Sequence, residues 1–231
     1  MLANYTWSRS LDDTPAGSGI VAAGQGGQSA IPWNFPGRHR VDYGPSDFDH
    51  PQRVVLSYVW DLPKLADKSA LIRYTVGGWQ WTGIITAMSG GPFTVLAGSD
   101  RSQTGLGTDR ANFTGTDPYG GTACSKSAPC VNYLNPAAFS IPAIGTFGNV
   151  GKGSLRGPNL VTFDSGLFKE FPFASERARF QFRAEFFNVF NRVNFNNPAN
   201  STVPSFSAGG FGTLTSAQDP RIGQLALKLL F

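Results

Sequence analysis

Two cysteines, two histidines and a knot of aspartates are the side chains of this 231-residue chain best suited to chemistry. Cys124 and Cys130 are separated by five residues in Thr122-Ala123-Cys124-Ser125-Lys126-Ser127-Ala128-Pro129-Cys130. A metal site would need further ligands, and the histidines, His39 and His50, belong to a different segment. A local disulfide is the better reading: an oxidising compartment lets it form and persist, and it would staple a loop with little core of its own. The alternative is two unpaired thiols held reduced in a cytosol. His39 and His50 flank Asp42, Asp47 and Asp49, whose carboxylates could bind a cation, but the spacing matches no calcium loop and such clusters more often solvate a loop tip.

Catalytic constellations are missing. Gly148-Asn149-Val150-Gly151-Lys152-Gly153-Ser154 has the flavour of a phosphate loop, yet its first glycine is misplaced and Gly153 stands where Ser or Thr should hold a metal. It reads as a turn before a strand. No Gly-x-Ser-x-Gly elbow occurs, and two histidines leave little room for a Ser-His-acid set. The expectation is a protein that is not an enzyme and needs no cofactor. The net charge of +4 could suggest nucleic acid, but the basic residues are scattered rather than gathered on one face, so no nucleic-acid partner is expected.

What must position these residues is a set of strands. Between Arg177 and Phe190, Arg177, Arg179, Gln181, Arg183 and Glu185 fall on one side, and Ala178, Phe180, Phe182, Ala184 and Phe186 on the other. Between Arg221 and Phe231, Leu225, Leu227, Leu229 and Phe231 share a face opposite Gln224 and Lys228. Charged residues at 15% are sparse, and 28 glycines with 16 prolines favour many strands joined by turn-rich loops. No run of eighteen apolar residues exists, which leaves open a barrel, whose strands need only about ten alternating residues to cross a bilayer.

Six strands follow from this pattern: Leu2 to Leu11, Gln52 to Asp61, Trp79 to Val95, Asn159 to Glu170, Glu176 to Asn191 and Arg221 to Phe231. Phe171 to Ser175 is a tight turn, and Leu62 to Gly78 is a moderate link in which Leu71 to Val76 could continue a strand. Trp60, Trp79, Trp81, Phe173, Phe180 and Phe231 then line up at one end as an interfacial girdle.

Phe182 to Phe195, Phe182-Arg183-Ala184-Glu185-Phe186-Phe187-Asn188-Val189-Phe190-Asn191-Arg192-Val193-Asn194-Phe195, resembles the penultimate strand of TonB-dependent outer-membrane receptors, particularly the Oar-like subgroup. Asp219 to Phe231 is similar to the closing strand of those barrels, and the likeness continues through Gly78 to Thr86 and Tyr5 to Asp13. The resemblance implies an all-β fold: an antiparallel up-and-down transmembrane β-barrel segment, about six strands of a barrel of about 22, and an open curved sheet when alone. It implies residence in the bacterial outer membrane, with residues 1–231 as the carboxy-terminal part of the barrel and exterior ligand-binding loops at about 12–51, 96–158 and 192–220. Met1 to Trp7 enters directly into alternation, so a signal peptide and the family's plug domain are expected to be absent.

The implied function is energised uptake of an unknown small solute or glycan. Its partners would be outer-membrane lipid, the TonB complex acting through the missing plug, and the barrel-assembly machinery, which would read Leu225, Leu227, Leu229 and Phe231 by strand addition. Two rivals come from other classes: a structural or adhesive outer-membrane barrel, and a soluble carbohydrate-binding sandwich. An outer-membrane hydrolase is weaker, lacking a converging acid or histidine set.

Overall fold

The computed structural model describes residues 1–13, 36–105, 109–120, 131–173, 178–198 and 210–230. Six long strands form one antiparallel sheet in sequence order: β1 (Leu2–Trp7), β2 (Gln52–Asp61), β3 (Trp79–Met88), β4 (Leu160–Phe173), β5 (Ala178–Phe187) and β6 (Ile222–Leu230). Among the described residues β1 and β6 do not pair with each other, so the sheet is open.

Local chemistry sets the strand ends. β2 runs between Pro51 and Pro63, and β3 between Gly77-Gly78 and the Ser89-Gly90-Gly91-Pro92 break. Pro172 is tolerated inside β4 because β3 pairs only as far as Lys169, leaving one side of Pro172 without a ladder to feed. β5 stops at Phe187, since Asn188 and Asn191 take positive φ of 50° and 51°.

Several boundaries differ from the sequence expectation. β1 stops at Trp7 rather than Leu11, because Leu11–Asp12 turns away to pair with Gly44–Pro45. β3 stops at Met88 rather than Val95, and Pro92–Phe93 instead pairs with Leu155–Arg156. β4 continues to Phe173, past the turn expected from Phe171. Leu71 to Val76 is no strand: Ala70–Thr75 is a short helix, closed by Val76 and Gly77 N–H bonds to the Ile72 carbonyl and by the Trp79 indole donating to the Thr75 carbonyl at 2.9 Å.

The cross-strand register sorts the side chains cleanly. Tyr5, Leu56, Trp60, Trp81, Ile85, Leu167, Phe182 and Leu227 share one face, while Asp61, Gln80, Thr82, Glu170, Arg179, Arg183, Glu185 and Gln224 share the other. The sheet is a single layer. Leu225, Leu227 and Leu229 are 71%, 68% and 50% exposed, and no described strand or helix covers them. One layer of apolar sheet has no stable place in water, because each apolar face must be buried against something.

The hydrophobic core lies elsewhere. Phe93, Val95, Leu134, Phe139, Val150, Leu155 and Phe211 are buried together, drawn from the segments between β3 and β4 and between β5 and β6. Short ladders organise this cap: Asn112–Phe113 with Phe139–Ser140, and Val131–Asn132 with Thr213–Leu214. Each fully buried Phe, Leu or Val contributes roughly 1.5–3 kcal/mol, so the cap carries packing that the sheet lacks. This corrects the expectation that the segment from Leu96 to Pro158 has little core of its own.

Candidate functional site

The apolar face carries aromatics at both ends. At the end opposite the cap, Trp60 and Trp81 are direct partners with ring centroids 6.1 Å apart, and Trp79 meets Phe182 edge-on at 6.0 Å. At the cap end, Tyr5 and Trp7 are exposed on the same face, and Phe190 stacks on Phe163 at 5.5 Å. Gln52, paired with Trp7, and Leu62, bonded to the Trp79 carbonyl, stand ten residues apart along β2. About that many tilted residues cross a hydrocarbon layer, and amphipathic aromatics belong at its two boundaries.

Among the described strand residues one cation sits on this face. Lys169 is opposite both Trp79 and Phe182, yet it is buried: its Nζ donates to the Gly77 carbonyl at 2.5 Å and lies over the Trp79 and Phe171 rings at 5.3 and 5.2 Å. The stem lies along apolar surface while the charge reaches the aromatic boundary.

The opposite face is a ladder of polar side chains. Arg179 and Gln181 both donate to Glu170 at 3.2 Å, Arg183 donates to Gln181 at 2.8 Å, Gln224 donates to Glu185 at 2.8 Å and Gln80 donates to Asp61 at 2.8 Å. Near the turn end the helical link leans over this face and leaves a groove of about 540 Å³ between Arg73 and Tyr74 on one side and Glu170 and Arg179 on the other.

The link between β1 and β2 and the link between β3 and β4 meet in the cap through three ion pairs. Arg110 Nη2 donates to Asp42 Oδ1 at 2.5 Å, with both side chains buried, and Arg110 Nη1 donates to the Val41 and Val150 carbonyls. Arg156 pairs with the Asp49 carboxylate and donates to the Asp49 carbonyl at 2.5 Å, and Lys152 pairs with Asp12. Burial acts to raise the Asp49 carboxyl, but the Arg156 hydrogen bond, the Ser10 N–H and the Arg156 charge outweigh it and hold Asp49 below the usual carboxylate range. Asp47 goes the other way: burial raises it against the pull of Lys152. Tyr133, donating to the Arg156 carbonyl at 2.7 Å, is pushed up to about 12 by burial and by nearby Tyr119.

The residues picked out in the sequence thus scatter. Leu225, Leu227 and Leu229 line up on the apolar face beside Ala184, Phe182 and Phe180, whereas Phe231, Cys124 and Cys130 lie outside the described residues. Asp42 and Asp49 bind arginines. His39 pairs with Asp13, and His50 Nδ1 hydrogen-bonds the Ser89 carbonyl at 2.8 Å, so no His–Asp cation cluster forms among the described residues. Lys152, in the glycine-rich turn, serves Asp12. Arg110 and Arg156, the two anchors of the cap, carry no local sequence signal, because their partners are 68 and 107 residues away.

Comparison with known proteins agrees with this geometry. A family model described as an outer membrane beta barrel domain matches residues 1–224. No curated protein and no solved structure matches the chain. A sheet one layer thick, apolar with aromatic borders on one face and polar on the other, is the wall such a domain requires. The chain belongs to the outer membrane beta barrel domain family, and its place is the bacterial outer membrane.

Proposed function

We propose that the chain is the carboxy-terminal barrel portion of a TonB-dependent, Oar-like receptor, a non-enzymatic protein that takes up a solute or glycan by energised transport. The observation that carries this reading is the cap. At a single end of the wall the β3–β4 link shares one core with the β5–β6 link and a set of ion pairs with the β1–β2 link, which makes a preformed recognition head rather than a fringe of independent loops. In this reading the cap faces the exterior, the polar ladder faces the lumen, and lipid bathes the leucine and phenylalanine face. Leu225, Leu227 and Leu229 present the assembly machinery with an apolar strand at the edge of the described sheet, suited to recognition by strand addition.

The test is uptake by cells carrying or lacking the gene in its native context. Labelled iron chelate, cobalamin and oligosaccharide are supplied in turn, with and without a protonophore. Accumulation of one of them that needs both the gene and the proton gradient is expected. Gene-independent or protonophore-insensitive uptake of all three would overturn the transport reading. Among the described residues the outer edges of β1 and β6 pair with no strand, which favours one second reading, a structural or adhesive barrel closed by several copies, and that protein would leave uptake unchanged. A soluble sandwich would lay a second sheet over the apolar face, and no described strand does so.

A further inference from the structure

Within the cap, Asp100-Arg101-Ser102-Gln103-Thr104-Gly105 wraps around one carboxylate. Asp100 Oδ1 accepts from the Thr104 N–H at 3.1 Å and the Ser102 hydroxyl at 3.3 Å, and Oδ2 accepts from the Gly105 N–H at 2.7 Å. Gln103 and Gly105 take left-handed backbone, with φ of 62° and 74°, which turns the Ser102 and Thr104 hydroxyls inward to within 3.3 Å of each other. Closing the loop, the Ser102 N–H donates to Asp109 Oδ2 at 2.6 Å.

Asp109 is the unexplained member. Its side chain is 1% exposed, and its second oxygen, Oδ1, is buried with no hydrogen-bond partner among the described residues. Arg110 does not supply one, because its guanidinium is committed to Asp42 and to the Val41 and Val150 carbonyls. A buried carboxylate oxygen with nothing to accept from is costlier than a neutral hydroxyl in the same position, and a cation is one of the groups that completes it.

We infer that Asp100, Ser102, Thr104 and Asp109 form a binding site for a divalent cation of the calcium class, which Asp109 Oδ1 ligates. A carboxylate at the first position, oxygen side chains at the third and fifth and a left-handed glycine at the sixth is how a calcium loop encircles its ion, and a carboxylate further along closes the shell. The donors are all oxygen, which selects a hard cation over zinc or copper. Two carboxylates balance the double charge. Calcium suits this flexible, irregular set better than magnesium, which demands near-octahedral geometry and sheds water reluctantly. The site stands on the cap's own geometry and does not rest on the transport reading.

Calorimetric titration of the full chain, folded in detergent micelles and stripped of metal, tests it with calcium chloride and, separately, magnesium chloride. One calcium per chain is expected, with a Kd of about 10⁻⁴–10⁻³ M and weaker magnesium binding. Asp109→Asn should weaken calcium at least tenfold, and Ser102→Ala, which keeps the backbone N–H to Asp109, several-fold with an unchanged thermal melt. If Asp109→Asn does not fold, Thr104→Val joins Ser102→Ala as the comparison. No calcium binding by the native chain, or affinity unchanged in the folded variants, would overturn the proposal.

Discussion

Tyr58 lies across Gly83, its direct partner on the neighbouring strand, so closely that a Cβ at residue 83 would come within 2.5 Å of the Tyr58 hydroxyl and 2.6 Å of Cζ. The ring then meets Trp81 edge-on at 5.2 Å, and Phe186 covers Gly223 across β5 and β6 in the same manner. Aromatic rings filling the hollow over a strand glycine pin the register of a sheet that has no second layer to do so.

Gly83→Ala should therefore cost about 1–3 kcal/mol by overpacking, read as a lower urea midpoint of the chain folded in lipid vesicles. Tyr58→Phe should be neutral or gain up to about 1 kcal/mol, because the Tyr58 hydroxyl is buried without a partner among the described residues. A clear loss of stability in Tyr58→Phe would mean that this hydroxyl is satisfied.

Arg110→Met leaves the buried Asp42 carboxylate without its main partner and should destabilise the cap by about 3–5 kcal/mol, while Arg110→Met with Asp42→Leu recovers most of that loss. Hydrogen exchange resolves the two regions. Faster exchange is expected at Val95, Ala111 and Leu134, with β3 to β5 unchanged.

How much of this was legible in the sequence depended on where the information is stored. In β5 the alternation of Arg179, Gln181, Arg183 and Glu185 with Phe180, Phe182 and Ala184 is written residue by residue, so the strand and its two faces could be read directly. The cap is stored otherwise. Phe93, Leu134 and Phe211 sit in Gly- and Pro-rich segments with no period, and only long-range contact reveals that they share a core. Asp42 and Asp49 looked like solvated or metal-binding acids because the arginines that neutralise them are far away in the chain. Leu71, Ile72 and Tyr74 suit a strand by composition, yet Gly77 and Gly78 end a helix there instead.

Acid should release the Asp49 anchor. Its folded carboxyl lies below the ordinary range, so the stabilisation is fully present above an unfolded pKa of about 3.9 and is lost as pH falls through the lower folded value. Asp47, raised by burial, has the opposite sign: it opposes folding once ionised. Cap melting followed from pH 7 to pH 2 should fall below about pH 4 in the native chain, and this acid-side fall should be shallower in Asp49→Asn, which starts from lower stability. At neutral pH, Asp47→Asn should raise the melting temperature.

Charge placed on the apolar face should be costly according to depth. Leu227, near the middle of β6, replaced by Arg should cost about 2–4 kcal/mol of folding free energy in bilayers, whereas Lys228→Gln on the polar face should change little. Equal costs at the two positions would mean that the faces have been misassigned.

The most direct test is the environment of β6 itself. Single nitroxide labels are placed at cysteines introduced one at a time at positions 224 to 229 in a Cys124→Ser, Cys130→Ser background, and the folded chain is reconstituted in lipid vesicles. Collision with oxygen, which partitions into hydrocarbon, should peak at Leu225, Leu227 and Leu229, and collision with a water-soluble nickel chelate should peak at Gln224, Ala226 and Lys228. A flat profile, or labels at Leu225, Leu227 and Leu229 shielded from both reagents as in a protein core, would contradict a wall bathed in lipid.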